Sequence, residues 1–231
     1  MVIVILAAGV GSRLGRPVPK PLTVLTDGRS IMQRQVEAAQ EMFPTAPVIV
    51  AVGFKKDLVM EAAPALLFAY NERFGETNTA KSLLRALENT GDESALWMNG
   101  DVVFDSDLLP LLRPRIEADE SFISVNTAAV GAEEVKYNLD DRGAIRELSK
   151  TVVDGLGEAV GVNYVCSNDK ASLIARLEEC SDADYFERAI ELSIDRDGAR
   201  YAPVDVTESV CIEVDFVEDL ARANEAIAPP N

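Results

Sequence analysis

VIVILAAGVGSRLGRPVPKPL, residues 2–22, joins a buried strand to a glycine-rich loop. Val2 to Leu6 is an apolar, largely β-branched run, the pattern of a strand covered on both faces in a parallel sheet rather than one with a solvated side. Behind it, Ala7, Ala8, Gly9, Val10, Gly11, Ser12 and Arg13 set two small residues, two glycines, a hydroxyl and a guanidinium close together. Such a backbone can approach a polyphosphate closely, and Arg13 brings a fork matched to phosphate oxygens. Pro17 and Pro19 stiffen the approach to Lys20, a compact cation whose expected target is a phosphate oxygen.

Two phosphate-binding templates fail on these residues. After Gly9 and Gly11 the third position of a dinucleotide fingerprint is Leu14, and no clear acidic ribose ligand ends a second strand about twenty residues later. A Walker loop fails too, because no Gly-Lys-Ser/Thr follows the glycines. Instead, L-A-A-G-x-G-S-R-L over residues 6–14, followed by P-K-P-L over residues 19–22, resembles the signature of the nucleotidyltransferases that join a nucleoside triphosphate to a sugar phosphate or small phosphorylated alcohol and release pyrophosphate. The resemblance implies that Leu6, Ala7, Ala8, Gly9, Gly11 and Ser12 hold base and phosphates, that Arg13 contacts the triphosphate, and that Lys20 stabilises charge at the α-phosphate. The short spacing between Arg13 and Lys20 is similar to that of cytidylyltransferases acting on polyol phosphates.

Composition sets the outer bounds. The chain has 231 residues, 48% hydrophobic and 26% charged, enough to bury a sizeable core, and no apolar run approaches the roughly 20 residues of a membrane span. VIVIL is too short for the apolar core of a signal peptide and lacks a basic flank, so a cytoplasmic location and no membrane partner are expected. A formal net charge of −17 repels phosphate backbones and argues against nucleic acid as a partner. There is no histidine, which leaves carboxylates, lysines and a hard cation such as Mg²⁺ to carry any chemistry.

Further along, Ile31, Met32, Gln35, Val36, Ala39 and Met42 predict a helix with Ser30 as its N-cap. Strands are predicted at 48–52 and 66–70 with a helix between them, the alternation of a parallel α/β sheet whose ligands lie at the carboxyl ends of the strands. Thr77 or Asn78 then caps a helix through Leu83, Leu84 and Leu87, aiming amides at the site, and Asn78 is taken as a nucleotide-side residue. This stretch also resembles a loop of the phosphocholine-type cytidylyltransferases, without the aromatic residue that suits a quaternary ammonium; Lys81 and Arg85 would favour an acidic acceptor. Ala95 to Asn99 is the next strand. It ends in Gly100, which lets the backbone pass a ligand, and Asp101, the first expected metal ligand.

The second half is read as strands at 121–125 and 157–165, a hairpin pairing 134–137 with 145–148, and two helices from 169 and 185. By resemblance Lys150, after the hairpin, reaches the acceptor phosphate, with Lys136 as its rival, and Glu158 of G-E-x-x-G-V faces the acceptor; Tyr185 and Glu187 are read either as lining an acceptor pocket or as core packing plus surface charge. Near the C-terminus, Glu213 and Asp215 alternate with apolar residues on a strand and project to one face, converging with Asp101 on one cation. The stretch resembles E-I-D-x-x-x-D-L, whose aspartate, here Asp215, is the second magnesium ligand.

The expectation is therefore a Rossmann-like three-layer αβα sandwich, with a mostly parallel mixed sheet and a small β-hairpin annex. It would be one nucleotidyltransferase domain over 1–231, with a nucleotide half at about 1–110 and an acceptor half at about 111–231. The reading is a Mg²⁺-dependent enzyme taking CTP or another NTP and a small phosphate or phosphonate acceptor, with a homodimer left open.

Overall fold

The computed structural model describes residues 1–11, 18–128, 131 and 134–228. Strand β1 (Val2–Ala7) is buried at every position. It lies between β2 (Val48–Val52) and β4 (Ala95–Asn99), parallel to both, with Leu6 opposite Ala51 on one side and Asn99 on the other. The strand β3 (Leu67–Tyr70) extends this parallel block beyond β2.

Period-two alternation explains why the run is apolar throughout: Val2, Val4 and Leu6 enter one core, Ile3, Ile5 and Ala7 the other. The first core is closed by α3 (Thr79–Leu87), α5 (Ser167–Glu179) and α6 (Phe186–Asp197), through Leu83, Leu87, Leu173, Leu177 and Phe186. Trp97 of β4 meets Phe186 edge-on at 5.6 Å inside it. The second core is closed by α1 (Ile31–Met42), α2 (Lys56–Ala62) and α4 (Leu108–Glu117), through Met32, Ala39, Val59, Leu108 and Leu112. Helices thus cover both faces of the sheet, a three-layer arrangement. Ser30 Oγ accepts the Gln33 N–H at 3.1 Å, so α1 starts where its cap predicts.

Three strands turn the parallel block into a mixed sheet. The long β9 (Glu158–Val165) runs antiparallel between β4 and β6 (Phe122–Asn126), and β10 (Ala202–Asp205) joins β6 in parallel at the edge. The hairpin β7 (Lys136–Leu139) and β8 (Ile145–Ser149) attaches to the start of β9 through the Lys136–Glu158 pair. A separate two-stranded sheet pairs β5 (Val102–Phe104) with β11 (Cys211–Glu213), antiparallel, and α7 (Val217–Ala226) follows.

Sequence periodicity missed α4, β5 and β10. Pro110 and Pro114 break the look of a helix in α4, where Pro114 lies inside the element. The strand β5 is only three residues long, too short for a period to register. The hairpin strands begin at Lys136, two residues later than predicted.

Where β9 runs past the end of β4, Gly161, at φ +74°, permits a close approach: a Cβ would stand 2.7 Å from Asn99 Nδ2. Gly161→Ala is therefore expected to lower stability by about 1–3 kcal/mol, through left-handed backbone strain and displacement of Asn99. Chemical denaturation measures this, and an unchanged midpoint contradicts it.

Candidate active site

The carboxyl ends of β1 and β4 adjoin, and their loops build one cleft. Gly100 N–H donates to Leu6 O at 2.9 Å, and a Cβ at Gly100 would lie 2.6 Å from that oxygen, so the two chain ends approach as only glycine allows. Ala7 and Ala8 are buried at the end of β1, while Gly9 is open to solvent. The loop comes back as a 3₁₀ turn, Lys20–Leu22, with Pro19 in its N-cap position and Lys20 leading it. Gly11 lies against the Lys20 side chain. Ser12 and Arg13, both expected at the phosphates, lie outside the described residues.

Lys20 Nζ donates to Asp101 Oδ2 at 3.0 Å and to Asp215 Oδ1, partners 81 and 195 positions away in sequence. Asp101 follows β4, and its carbonyl accepts the Val214 N–H at 2.9 Å. The β5–β11 ladder pairs Val102 with Glu213, so both ends of the chain meet at this point. Asp215 sits past the end of β11 rather than on it. There Asp219 Oδ2 accepts the N–H groups of Asp215 and Phe216 at 3.1 and 2.7 Å. The second aspartate of the E-I-D-x-x-x-D-L resemblance is thus a cap that starts α7 and holds Asp215.

Carboxylate oxygens of Asp101, Glu213 and Asp215 lie within 4.8 Å of one another. Burial pushes the Asp101 carboxyl up, more than Lys20 pulls it down. Glu213 is an exposed residue whose carboxyl end packs into this cluster, and that local desolvation, then Asp101 and Asp215, push it well above the usual carboxylate range. Burial also works against the Lys20 ammonium, but the two aspartates outweigh it and hold its pKa above the ordinary value. One ammonium among three carboxylates leaves an excess of negative charge. An all-oxygen donor set of this kind fits a hard divalent cation such as Mg²⁺.

The remaining predicted residues fall into two groups. Glu158, Lys150 and Tyr185 share the edge of the sheet where β4 ends. Glu158 Oε2 accepts the Gly131 N–H at 3.1 Å, and Lys150 Nζ stands 5.3 Å from the centroid of the Tyr185 ring. Glu134, which the sequence reading left unassigned, joins them: burial, then Glu158, raise its carboxyl, Lys150 opposes this, and Asp215 adds to it. Beneath Lys150, Glu187 is 8% exposed, and its Oε2 has no hydrogen-bond partner among the described residues.

Lys81 is corrected. Its ammonium donates to Leu177 O and Glu178 O, both at 3.0 Å, capping the end of α5, and Arg85 is occupied by Glu72 and Glu88. These are fastenings between helices and surface pairs, and the structure does not bring Lys81 or Arg85 to Lys20, Asp101 and Asp215. Asn78 Oδ1 accepts the Thr79 N–H at the start of α3, while its amide group reaches Ala183 O at 3.3 Å.

With this geometry in place, the model of the MobA-like NTP transferase domain matches residues 3–196. The chain belongs to the MobA-like NTP transferase family. Within the fold, the CTP:phosphocholine cytidylyltransferase of Streptococcus pneumoniae superposes with a TM-score of 0.73 at 18% identity, covering 98% of this chain and 99% of that one. A putative glucose-1-phosphate thymidylyltransferase from Bacillus anthracis gives 0.77 at 16%, covering 100% and 96%. In sequence, the CMP-5'-(3-aminopropyl)phosphonate synthase of Streptomyces rubellomurinus is 25% identical over 264 residues, 98% of this chain and 39% of the relative. The chain spans less than half the length of the curated relatives it matches. No helix among the described residues is long and apolar enough to cross a membrane.

Two outcomes are expected. An ammonium and a divalent cation compete for the same carboxylate oxygens, so Lys20→Met should tighten Mg²⁺ binding in the absence of nucleotide, on the order of tenfold. Isothermal titration measures it, and unchanged or weaker binding contradicts it. Burial raises the Glu187 carboxyl to about 7, while Lys150 pulls it down. Between about pH 4.5 and 7 the unfolded chain has released a proton the folded chain still holds, so wild-type stability falls as pH rises through that window and is level above it. Measured against Glu187→Gln, that loss should be on the order of 2–3 kcal/mol; parallel stability profiles for the two proteins from pH 4.5 to 8 contradict it.

Proposed function

We propose that this NTP transferase is a Mg²⁺-dependent cytidylyltransferase that joins CTP to a small phosphate or phosphonate acceptor and releases pyrophosphate. The observation that carries the reading is the meeting of Lys20, Asp101 and Asp215 at the carboxyl ends of β1 and β4. That is where an α/β sheet binds its ligands, and it provides one cation for phosphate charge and two carboxylates for a metal. The short Arg13–Lys20 spacing supports CTP. So does the sequence relative named for a CMP-linked phosphonate, whose match runs along 98% of this chain.

In this mechanism residues 1–110 hold the nucleotide, with Gly9 and Gly11 letting the backbone approach the phosphates and Arg13 on the triphosphate. Asp101 and Asp215 hold the Mg²⁺, which supplies neutralisation of phosphate charge when bound. Lys20 sits 3.0 Å from Asp101, so its ammonium is already beside the residues that would hold the metal, and in this reading it serves the α-phosphate. There it stabilises the charge that develops as the acceptor oxygen attacks phosphorus in line and the pyrophosphate oxygen leaves. Phosphate and phosphonate oxygens are ionised near neutral pH, so no side chain has to remove a proton, in keeping with a chain that has no histidine. Lys150, beside Glu134 and Glu158 in the half from 111 to 231, orients the acceptor's oxyanion.

The second reading, a sugar-1-phosphate nucleotidyltransferase using UTP, dTTP or GTP, is favoured by the likeness to the thymidylyltransferase fold and by a 35% identical stretch of 117 residues in the bifunctional protein GlmU of a Cyanothece species. A silent nucleotide-binding sensor would have no need of Lys20 and a metal pair together. The test is pyrophosphate release with each of the four common nucleoside triphosphates and Mg²⁺, against phosphocholine, inositol phosphate, sugar 1-phosphates and small phosphonates. Release with CTP and a non-sugar acceptor is expected. Release only with a sugar 1-phosphate replaces this reading with the second, and binding without release replaces it with the sensor.

A further inference from the structure

Asp101 lies in a four-residue turn, Asn99 to Val102, between β4 and β5. The carbonyls at the two ends of that turn, of Asn99 and Val102, both accept from a single side chain in another layer of the fold. Gln35, in the second turn of α1 and 1% exposed, donates its Nε2 hydrogens to Asn99 O and Val102 O, each at 2.8 Å.

The orientation of the amide is fixed by its partners, since reversing it would bring Oε1 against two carbonyl oxygens. In the observed orientation Oε1 is buried with no partner among the described residues. A buried unpaired acceptor costs about 1–3 kcal/mol, and an apolar side chain of the same length would fill the space without that cost. What glutamine adds, and an apolar side chain would not, is one nitrogen whose two hydrogens reach both carbonyls at once.

We propose that Gln35 is a positioning residue for the cation site. By clamping the carbonyls on either side of Gly100 and Asp101, it sets the direction in which the Asp101 carboxylate leaves the turn. Because Val102 is also the ladder partner of Glu213, the same clamp sets how far β11 and Asp215 stand from Asp101. Gly100 N–H on Leu6 O and Val214 N–H on Asp101 O fasten the turn from β1 and β11, and Gln35 fastens it from the helical layer. Preorganisation of this kind matters most where ligand atoms must hold fixed distances from a cation.

The inference rests on Asp101 as a cation ligand, and the experiment separates the two. Binding of Mn²⁺ alone is measured by electron paramagnetic resonance for wild type, Asp101→Asn, Gln35→Met, Gln35→Glu and Met32→Ala. Gln35→Met keeps the length of the side chain and removes both donors; Gln35→Glu keeps the shape and removes the amide. Met32→Ala opens the same core from the same helix and removes neither hydrogen bond that Gln35 makes to the turn. Expected are a loss of at least about tenfold in Mn²⁺ affinity for both Gln35 variants, with Met32→Ala within about twofold of wild type despite a lower melting temperature. Wild-type affinity in a folded Gln35→Met, or an equal loss in Met32→Ala, overturns the positioning role and leaves the cation site standing. Unfolding of both Gln35 variants also overturns it, since the amide then holds the fold rather than the site. Wild-type binding that Asp101→Asn does not weaken removes the cation-site reading itself.

Discussion

The ammonium of Lys20 holds together the two ends of this chain. Its partners come from the turn after β4 and from the segment after β11, and neither pairing is local: 81 and 195 positions separate them. The contacts are partly buried, where a charge pair is stronger than in water and an unpaired carboxylate is costly. The surrounding structure makes the meeting unavoidable. β1 brings the loop to the end of the sheet, Pro19 fixes the entry of the 3₁₀ turn, the β5–β11 ladder delivers Glu213, and Asp219 caps α7 so that Asp215 stays in place.

An interaction of this kind is a poised state rather than a resting one. Three carboxylates face one lysine, an excess that a further cation or a proton can neutralise; burial first, and the neighbouring carboxylates after it, raise the Asp101 and Glu213 carboxyls. A polyphosphate bringing its own divalent ion would relieve it and release the lysine toward phosphate. Histidine is absent from the whole chain, so the site is built from hard charges and position, in keeping with the proposed attack by an oxygen that needs no base.

Much of this was legible in the sequence because the strongest signals are local. An unbroken β-branched run at residues 2–6 means a strand covered on both faces, and alternation assigns its side chains to two cores. Gly100 followed by Asp101 at a strand end likewise announced a turn at the site. What was not legible depends on tertiary partners. Lys81 and Arg85 share a helical face and look like an acceptor pair, but only packing shows that one caps α5 and the other answers Glu72 and Glu88. Glu134 becomes notable only when the hairpin folds it beside Glu158 and Lys150. Gln35 read as one more buried position on α1; nothing in its neighbours along the chain points to a turn 64 residues away. β10 and α4 went unread for simpler reasons, edge position and internal proline.

In the proposed function Asp101 and Asp215 couple a cation to a nucleotide. Titration of CTP into the wild-type chain and into one carrying both Asp101→Asn and Asp215→Asn, each with and without Mg²⁺, measures that coupling. Mg²⁺ is expected to tighten CTP binding to the wild type and to do nothing for the double variant. An equal Mg²⁺ effect on both would contradict it.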